Sequence, residues 1–177
     1  MDNLANLRDT RSFPAFADCP DENDIRLDYY RTTDGFMFNP SRHWCLLGEV
    51  TDKLLFLRLR LWLKDRDGGQ VPMHFHLEDG DSAQFQHAKE GDTVAVLYAH
   101  RHGFTDFSVG IRQETVCSLK VPPIPNQQEE CQTQGWVEKG HKDDCKILKD
   151  KDVQGLFKLD WEQFTDYARF PFEDNSA

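Results

Sequence analysis

The chain has no apolar run of about 18 residues, which excludes a membrane-spanning helix of ordinary length. Basic charge is also short: 21 Lys and Arg stand against 31 Asp and Glu, a formal net charge of −10. A protein that coats a phosphate backbone wholesale needs a basic surface to displace counterions, so the balance speaks against a general backbone binder. Cysteine is scarce, five in 177 residues, and the opening stretch MDNLANLRDTRSF has neither an apolar centre nor a small-residue cleavage site. The expectation is a chain without a secretory leader, in cytoplasm or nucleus, with thiols free or on metal. The sequence contains no nucleophile elbow, phosphate loop or dinucleotide fingerprint, and the expectation is a protein that is not an enzyme. Hydrophobic residues make up 38% of the chain, with 13 Phe and 4 Trp among them, enough to bury the core of one domain.

Along the chain, residues 1–31 are polar and acidic apart from Phe13, Phe16, Tyr29 and Tyr30, and read as an extended arm docking through its aromatics. Residues 32–121 read as strands. LLFLRLRLWLK alternates, placing Leu57, Leu59, Leu61 and Leu63 on one face and Arg58, Arg60, Trp62 and Lys64 on the other, the pattern of a half-buried antiparallel strand. DRDGG supplies a turn with Gly68 and Gly69 free to take positive φ. In QVPMHFHL, Val71, Met73, Phe75 and Leu77 face inward and His74 and His76 outward, while Pro72, lacking a ladder donor, implies an edge strand or a late start. DSAQFQHAKEGD reads as a short helical turn closed by Gly91. TVAVLYAH, apolar on both faces, predicts a central strand in which Val94, Val96 and Leu97 are buried. Five or so strands with polar turns predict a small curled sheet or barrel, and the phrase GDTVAVL is common in oligonucleotide/oligosaccharide-binding (OB) barrels.

Two patterns on these strands point to chemistry. His74 and His76 share a strand face with Glu78 beyond them, so a third imidazole from His100 or His102 would complete a cupin-like metal site. Solvated polar residues on an edge strand are the plainer account. Arg58 and Arg60 can line a nucleic-acid face, marked by aromatics and arginines on one side of the barrel. Cys19 and Cys45 are isolated; Cys45, in an apolar strand, reads as a small buried residue.

Residues 131–148, CQTQGWVEKGHKDDCKIL, hold the metal-ligand types Cys131, His141 and Cys145, the last two one helical turn apart on one face, where both reach the same ion. The wording resembles the second half of a MYND-type zinc finger. The preceding stretches NPSRHWCLLGEV and GDTVAVLYAHRHGFTDFSVGIRQE, and the following KILKDKDVQGLFKLDWEQFTDYARFPF, are similar to a fungal family of MYND-finger proteins with a barrel-like N-terminal part. An intact finger of that family carries seven cysteines and one histidine around two zincs. Here the front half is missing, residues 122–130 (PPIPNQQEE to Glu130 in the text of the chain, after Val121) forming a linker instead. By that resemblance Cys131 belongs to one zinc and His141 and Cys145 to the other. The implied function is a non-enzymatic protein-interaction module whose partner is a protein, in the family a proline-containing peptide, with at most one weakly held zinc. In residues 149–177, Asp160 is expected to cap a helix that buries Trp161, Phe164 and Ala168. The whole reads as an α+β chain: a small antiparallel β-barrel-like (OB-like) domain followed by a short helical segment from a truncated finger. The alternatives are an OB-like nucleic-acid-binding barrel and a cupin-like metalloenzyme.

Overall fold

The computed structural model of the chain describes residues 5–32, 34–78, 81–121 and 150–172. Its first strands, β1 (Tyr30–Thr32) and β2 (Phe38–Pro40), form a small separate hairpin. The main sheet begins as a meander of β3 (Cys45–Leu55), β4 (Leu59–Asp65) and β5 (Gln70–Phe75), then adds β6 (Thr93–Leu97), β7 (His102–Gly103), β8 (Val109–Gln113) and β9 (Leu119–Lys120). In space the order is β7-β8-β5-β4-β3-β6-β9, antiparallel throughout except for the parallel pair β5–β8.

Setting the two-residue strands β7 and β9 aside, the first long strand pairs with the second and the fourth, and the third pairs in parallel with the fifth. A 3-10 turn at Asp81–Phe85 fills the connection between third and fourth. That connectivity is the partly open, five-stranded barrel of the OB fold. One strand can serve two neighbours because β3 bends: its ladder to β4 shifts register between Val50 and Asp52, and such a bulge kinks and twists a strand. Cys45–Glu49 pairs with β6 and the far half of β3 with β4.

Period two decides which side chains go inside. Leu59, Leu61, Leu63, Val71, Met73 and Phe75 are all buried in the barrel core with Leu46, Val50, Val94 and Val96. Each such side chain contributes about 1.5–3 kcal/mol on full burial. The DRDGG turn is held by Asp65, whose backbone carbonyl accepts from Gly68 N and whose Oδ1 accepts from Gly69 N. Gly68 sits at φ 84°, where a side chain would be strained. The other oxygen of Asp65 accepts from Phe16 N at 2.9 Å, fastening the N-terminal arm to the barrel.

The structure corrects four expectations. Leu57 is 88% exposed: β3 runs on to Leu55, so the reversal falls at Phe56–Arg58 inside the apolar run, and the inward alternation begins only at Leu59. The strand holding Pro72 is interior, between β4 and β8. Proline is tolerated because β8 pairs only with Met73–Phe75, leaving Pro72 just short of the second ladder. Strand β6 is second from the end of the sheet order, not central. It is apolar on both faces because its outer side, with that of β3, is covered: Cys45, Ala95 and Leu97 pack with Phe13, Leu156, Trp161 and Phe170. Lastly, the C-terminal helix is α1 (Lys151–Lys158), its N-cap Asp150 accepting from Asp152 N and Val153 N. From Trp161 to Phe172 the chain is not helical. It exchanges helical hydrogen bonds for bonds to the barrel, with Trp161 O accepting from His43 N and Ala168 N donating to Tyr98 Oη. Trp161 is buried all the same, its ring 4.5 Å from that of Phe13. The finger-like stretch with Cys131, His141 and Cys145 lies outside the described residues. Among the described residues, no helix is long and apolar enough to cross a membrane.

Candidate nucleic-acid interface

The alternation that sends leucines inward from β4 sends Arg60, Trp62 and Lys64 outward, and on β5 it sends out Gln70, Pro72 and His74. Register sets them side by side: Arg60 opposite His74, Trp62 opposite Pro72, Lys64 opposite Gln70. Strand β8 extends the row by placing Arg112 opposite His74 on the other flank. Two loops bracket the face. The β3–β4 hairpin contributes Arg58, whose guanidinium lies 2.8 Å from His76 Nδ1. The loop before β8 contributes Phe104, which stacks on His74 with centroids 4.2 Å apart and planes 24° from parallel. That loop fits closely because Gly110 leaves room: a Cβ there would lie 2.2 Å from Pro72 O and 3.0 Å from the Phe104 ring. Phe107, at its tip, is 96% exposed.

Electrostatically this face departs from the chain average. Arg58, Arg60, Lys64 and Arg112 share it, with three carboxylates near at hand: Glu49, 3.3 Å from Lys64, Glu114, 2.7 Å from Arg112, and Asp106, whose charge acts on His74. Both pairs are largely exposed, and such pairs contribute only about 0–1 kcal/mol, so a phosphate can replace either carboxylate. Arg58 and Arg60 have no carboxylate partner among the described residues. Desolvation, and then the neighbouring Arg60, hold His74 below the usual imidazole range, and desolvation and Arg58 do the same for His76. Both rings are therefore neutral at pH 7 and offer stacking surface rather than charge.

The cupin-like arrangement is not assembled. His74 stacks on Phe104, His76 meets Arg58, His100 Nε2 lies 2.7 Å from Tyr30 Oη, and His102 Nδ1 meets Glu22. Among the described residues, no group of three or more His, Cys, Asp or Glu side chains is placed to hold a metal. Cys19 and Cys45 are buried, and burial pushes the Cys19 thiol up to about 12 and Cys45 higher still, so neither serves as a thiolate at neutral pH. Arg58, Arg60 and Trp62 were legible as outward-facing residues from alternation. Phe104 was missed; an aromatic in the loop RHGFTDF between two strands was the one available signal.

No family model matches the chain, and no curated protein matches it. Solved structures are similar to it at low identity, among them the following three. The Schizosaccharomyces pombe Pot1pC structure bound to ssDNA has 11% identity and a TM-score of 0.37, over 52% of this chain and 85% of that one. The S. pombe Stn1–Ten1 complex has 16% identity and a TM-score of 0.38, over 71% and 85%. The mitochondrial single-stranded DNA binding protein Rim1 of Saccharomyces cerevisiae has 10% identity and a TM-score of 0.32, over 46% and 92%.

Proposed function

We propose that this chain is a non-enzymatic single-stranded nucleic-acid-binding protein, with the strand lying across the outer face of β4, β5 and β8. The observation that carries this reading is the co-location of Trp62, the His74–Phe104 stack, Arg58, Arg60 and Arg112 on one face, between two loops. These half-buried rings give bases a surface to stack on, worth about 1–3 kcal/mol per base, and the guanidinium groups follow the phosphates. A net charge of −10 is compatible with this, because Arg58, Arg60, Lys64 and Arg112 share the one face whatever the balance of the rest of the chain. The acidity makes the site local and short rather than a continuous track.

The test is fluorescence anisotropy of a labelled single-stranded oligonucleotide of about ten residues, titrated with the full chain at several salt concentrations. With up to four phosphates neutralised, log K should fall linearly with log salt at a slope of about −2 to −3. No binding at about 50 mM salt, or a slope near zero, would sink the reading.

The resemblance of residues 131–148 to a MYND finger supports a second reading, a protein-interaction module of cytoplasm or nucleus. Cys131, His141 and Cys145 would be its metal ligands, one fewer than the four of a closed structural site. On that reading the chain holds at most one zinc, weakly. Two zincs per purified chain, retained after mild chelation, would overturn it.

A further inference from the structure

Among the described residues the barrel is open between β8 and β6, and the opening is a groove of about 720 Å³ beside the face described above. Tyr30, Tyr98, His100 and Tyr167 line it. The hydroxyls of two of these tyrosines are already engaged: Tyr30 Oη with His100 Nε2, and Tyr98 Oη with His43 Nδ1 at 2.6 Å and with Ala168 N at 2.7 Å. What Tyr30 and Tyr98 have left to present is ring surface. Tyr98 and Tyr167 meet at 79° with centroids 5.0 Å apart, making an aromatic corner. Tyr98 holds its place from a left-handed backbone, φ 56°, unusual for a residue with a side chain and the kind of strain that gathers at binding sites. His100 is held below the usual imidazole range by burial, so it is neutral at pH 7.

The rim of the groove is acidic. Asp21, Glu22, Asp24 and Glu114 stand against the guanidinium groups of Arg112 and Arg169. Asp21 is paired with Arg101, Glu22 with His102 and Glu114 with Arg112, whereas Asp24 has no ion-pair partner among the described residues. Along the wall, Ile111–Gln113 of β8 and Leu97 of β6 have no strand partner on the groove side among the described residues.

We infer that this groove binds an extended, arginine-bearing peptide of another protein. Its main chain would pair with the free edge of β8, and its guanidinium would rest in the Tyr30–Tyr98–Tyr167 corner facing Asp24. Strand addition at an open edge supplies affinity, and an aromatic corner with a carboxylate beside it selects a cation of planar shape. A nucleobase would also stack there, but its phosphate would meet Asp24, a carboxylate with no ion-pair partner among the described residues, so the peptide is the better fit.

The probe is the peptide acetyl-Ala-Thr-Arg-Thr-Ala-amide, compared with the same peptide carrying neutral citrulline in place of arginine, followed by amide NMR shifts of the full chain. The arginine peptide should shift Tyr98–His100 and Ile111–Glu114 saturably, with citrulline binding about tenfold weaker. Tyr167→Ala and Asp24→Asn, both at exposed positions, should each weaken binding about threefold or more while leaving oligonucleotide binding unchanged. Equal binding of the citrulline peptide would overturn the inference. So would no shift at millimolar peptide, peptide shifts confined to the β4–β5 outer face, or shifts of Tyr98–His100 produced by the oligonucleotide.

Discussion

Strands β4 and β5 carry two surfaces made from the same thirteen residues. On the inner surface Leu59, Leu61, Leu63, Val71, Met73 and Phe75 are buried and touch only one another and the rest of the core. On the outer surface Arg60, Trp62, Lys64, Pro72 and His74 are wholly or partly open, and among the described residues no apolar segment covers them in the way that Phe13 and Trp161 cover the outer side of β3 and β6. The contrast between the two covered and uncovered outer sides is the informative one. Among the described residues, the barrel hides its outer surface on β3 and β6 beneath apolar chain segments, and where arginines and aromatic rings stand together only the Phe104 loop lies against it. Stability and the proposed binding should therefore separate along the strand with a period of two.

The sharpest way to break that comparison is to alter neighbours. Leu61→Ala removes a fully buried side chain and should cost about 2–5 kcal/mol in denaturant unfolding, with the oligonucleotide affinity of the folded fraction unchanged. Trp62→Ala, one residue on, should do the reverse. Unfolding should change by about 1 kcal/mol or less, and oligonucleotide binding should weaken by about 1–3 kcal/mol, as for a lost base-stacking platform. If Trp62→Ala unfolds the chain without weakening binding, the outer face is structural and the two surfaces do not divide the labour.

Smaller in free energy but more specific is Arg60→Gln. One fewer phosphate neutralised should make the salt slope shallower by about 0.7 without altering stability detectably. An unchanged slope would take Arg60 out of the strand's path.

How much of this was legible in the sequence follows from how local each signal is. Alternation is local, so the inward leucines of β4 and the outward Arg60 and Trp62 could be read directly. The hairpin at Phe56–Arg58 could not, because its turn is made of apolar residues and no Gly, Asn or Pro marks it. The both-faced apolarity of Thr93–Leu97 was visible, but its cause was not: Trp161 and Phe13, distant in sequence, cover its outer side. For the same reason residues 160–170 carried a helical apolar spacing yet fold as a strap, since the bonds from His43 and to Tyr98 depend on tertiary placement. Phe104 on His74 joins a loop to a strand thirty positions away, and only the parallel β5–β8 pairing brings them together. The ligand types Cys131, His141 and Cys145 were the most specific local pattern, and they fall outside the described residues.

The remaining expected effect concerns pH, and it should have opposite signs for the two properties. His74 and His76 are held below the usual imidazole range, chiefly by desolvation and next by Arg60 and Arg58. The unfolded chain thus takes up protons at a higher pH than the folded one. Stability must then decline as pH falls from the unfolded value near 6.5 toward the lower folded values, since there the unfolded state binds more protons. His43 and His100, both also lowered chiefly by desolvation, add to the decline in the same window. Binding runs the other way. A phosphate beside either ring favours the imidazolium, so each protonated histidine adds a cation to the outer face, and the salt slope should steepen by up to about 1.4 between pH 7.5 and 5.5. Anisotropy titrations at both pH values, with denaturation midpoints measured in the same buffers, check the pair. His74→Gln with His76→Gln should abolish the pH dependence of the slope while leaving the His43 and His100 part of the stability change in place. A slope that stays constant with pH in the unaltered chain would place the strand away from both imidazoles and move the proposed path off β5.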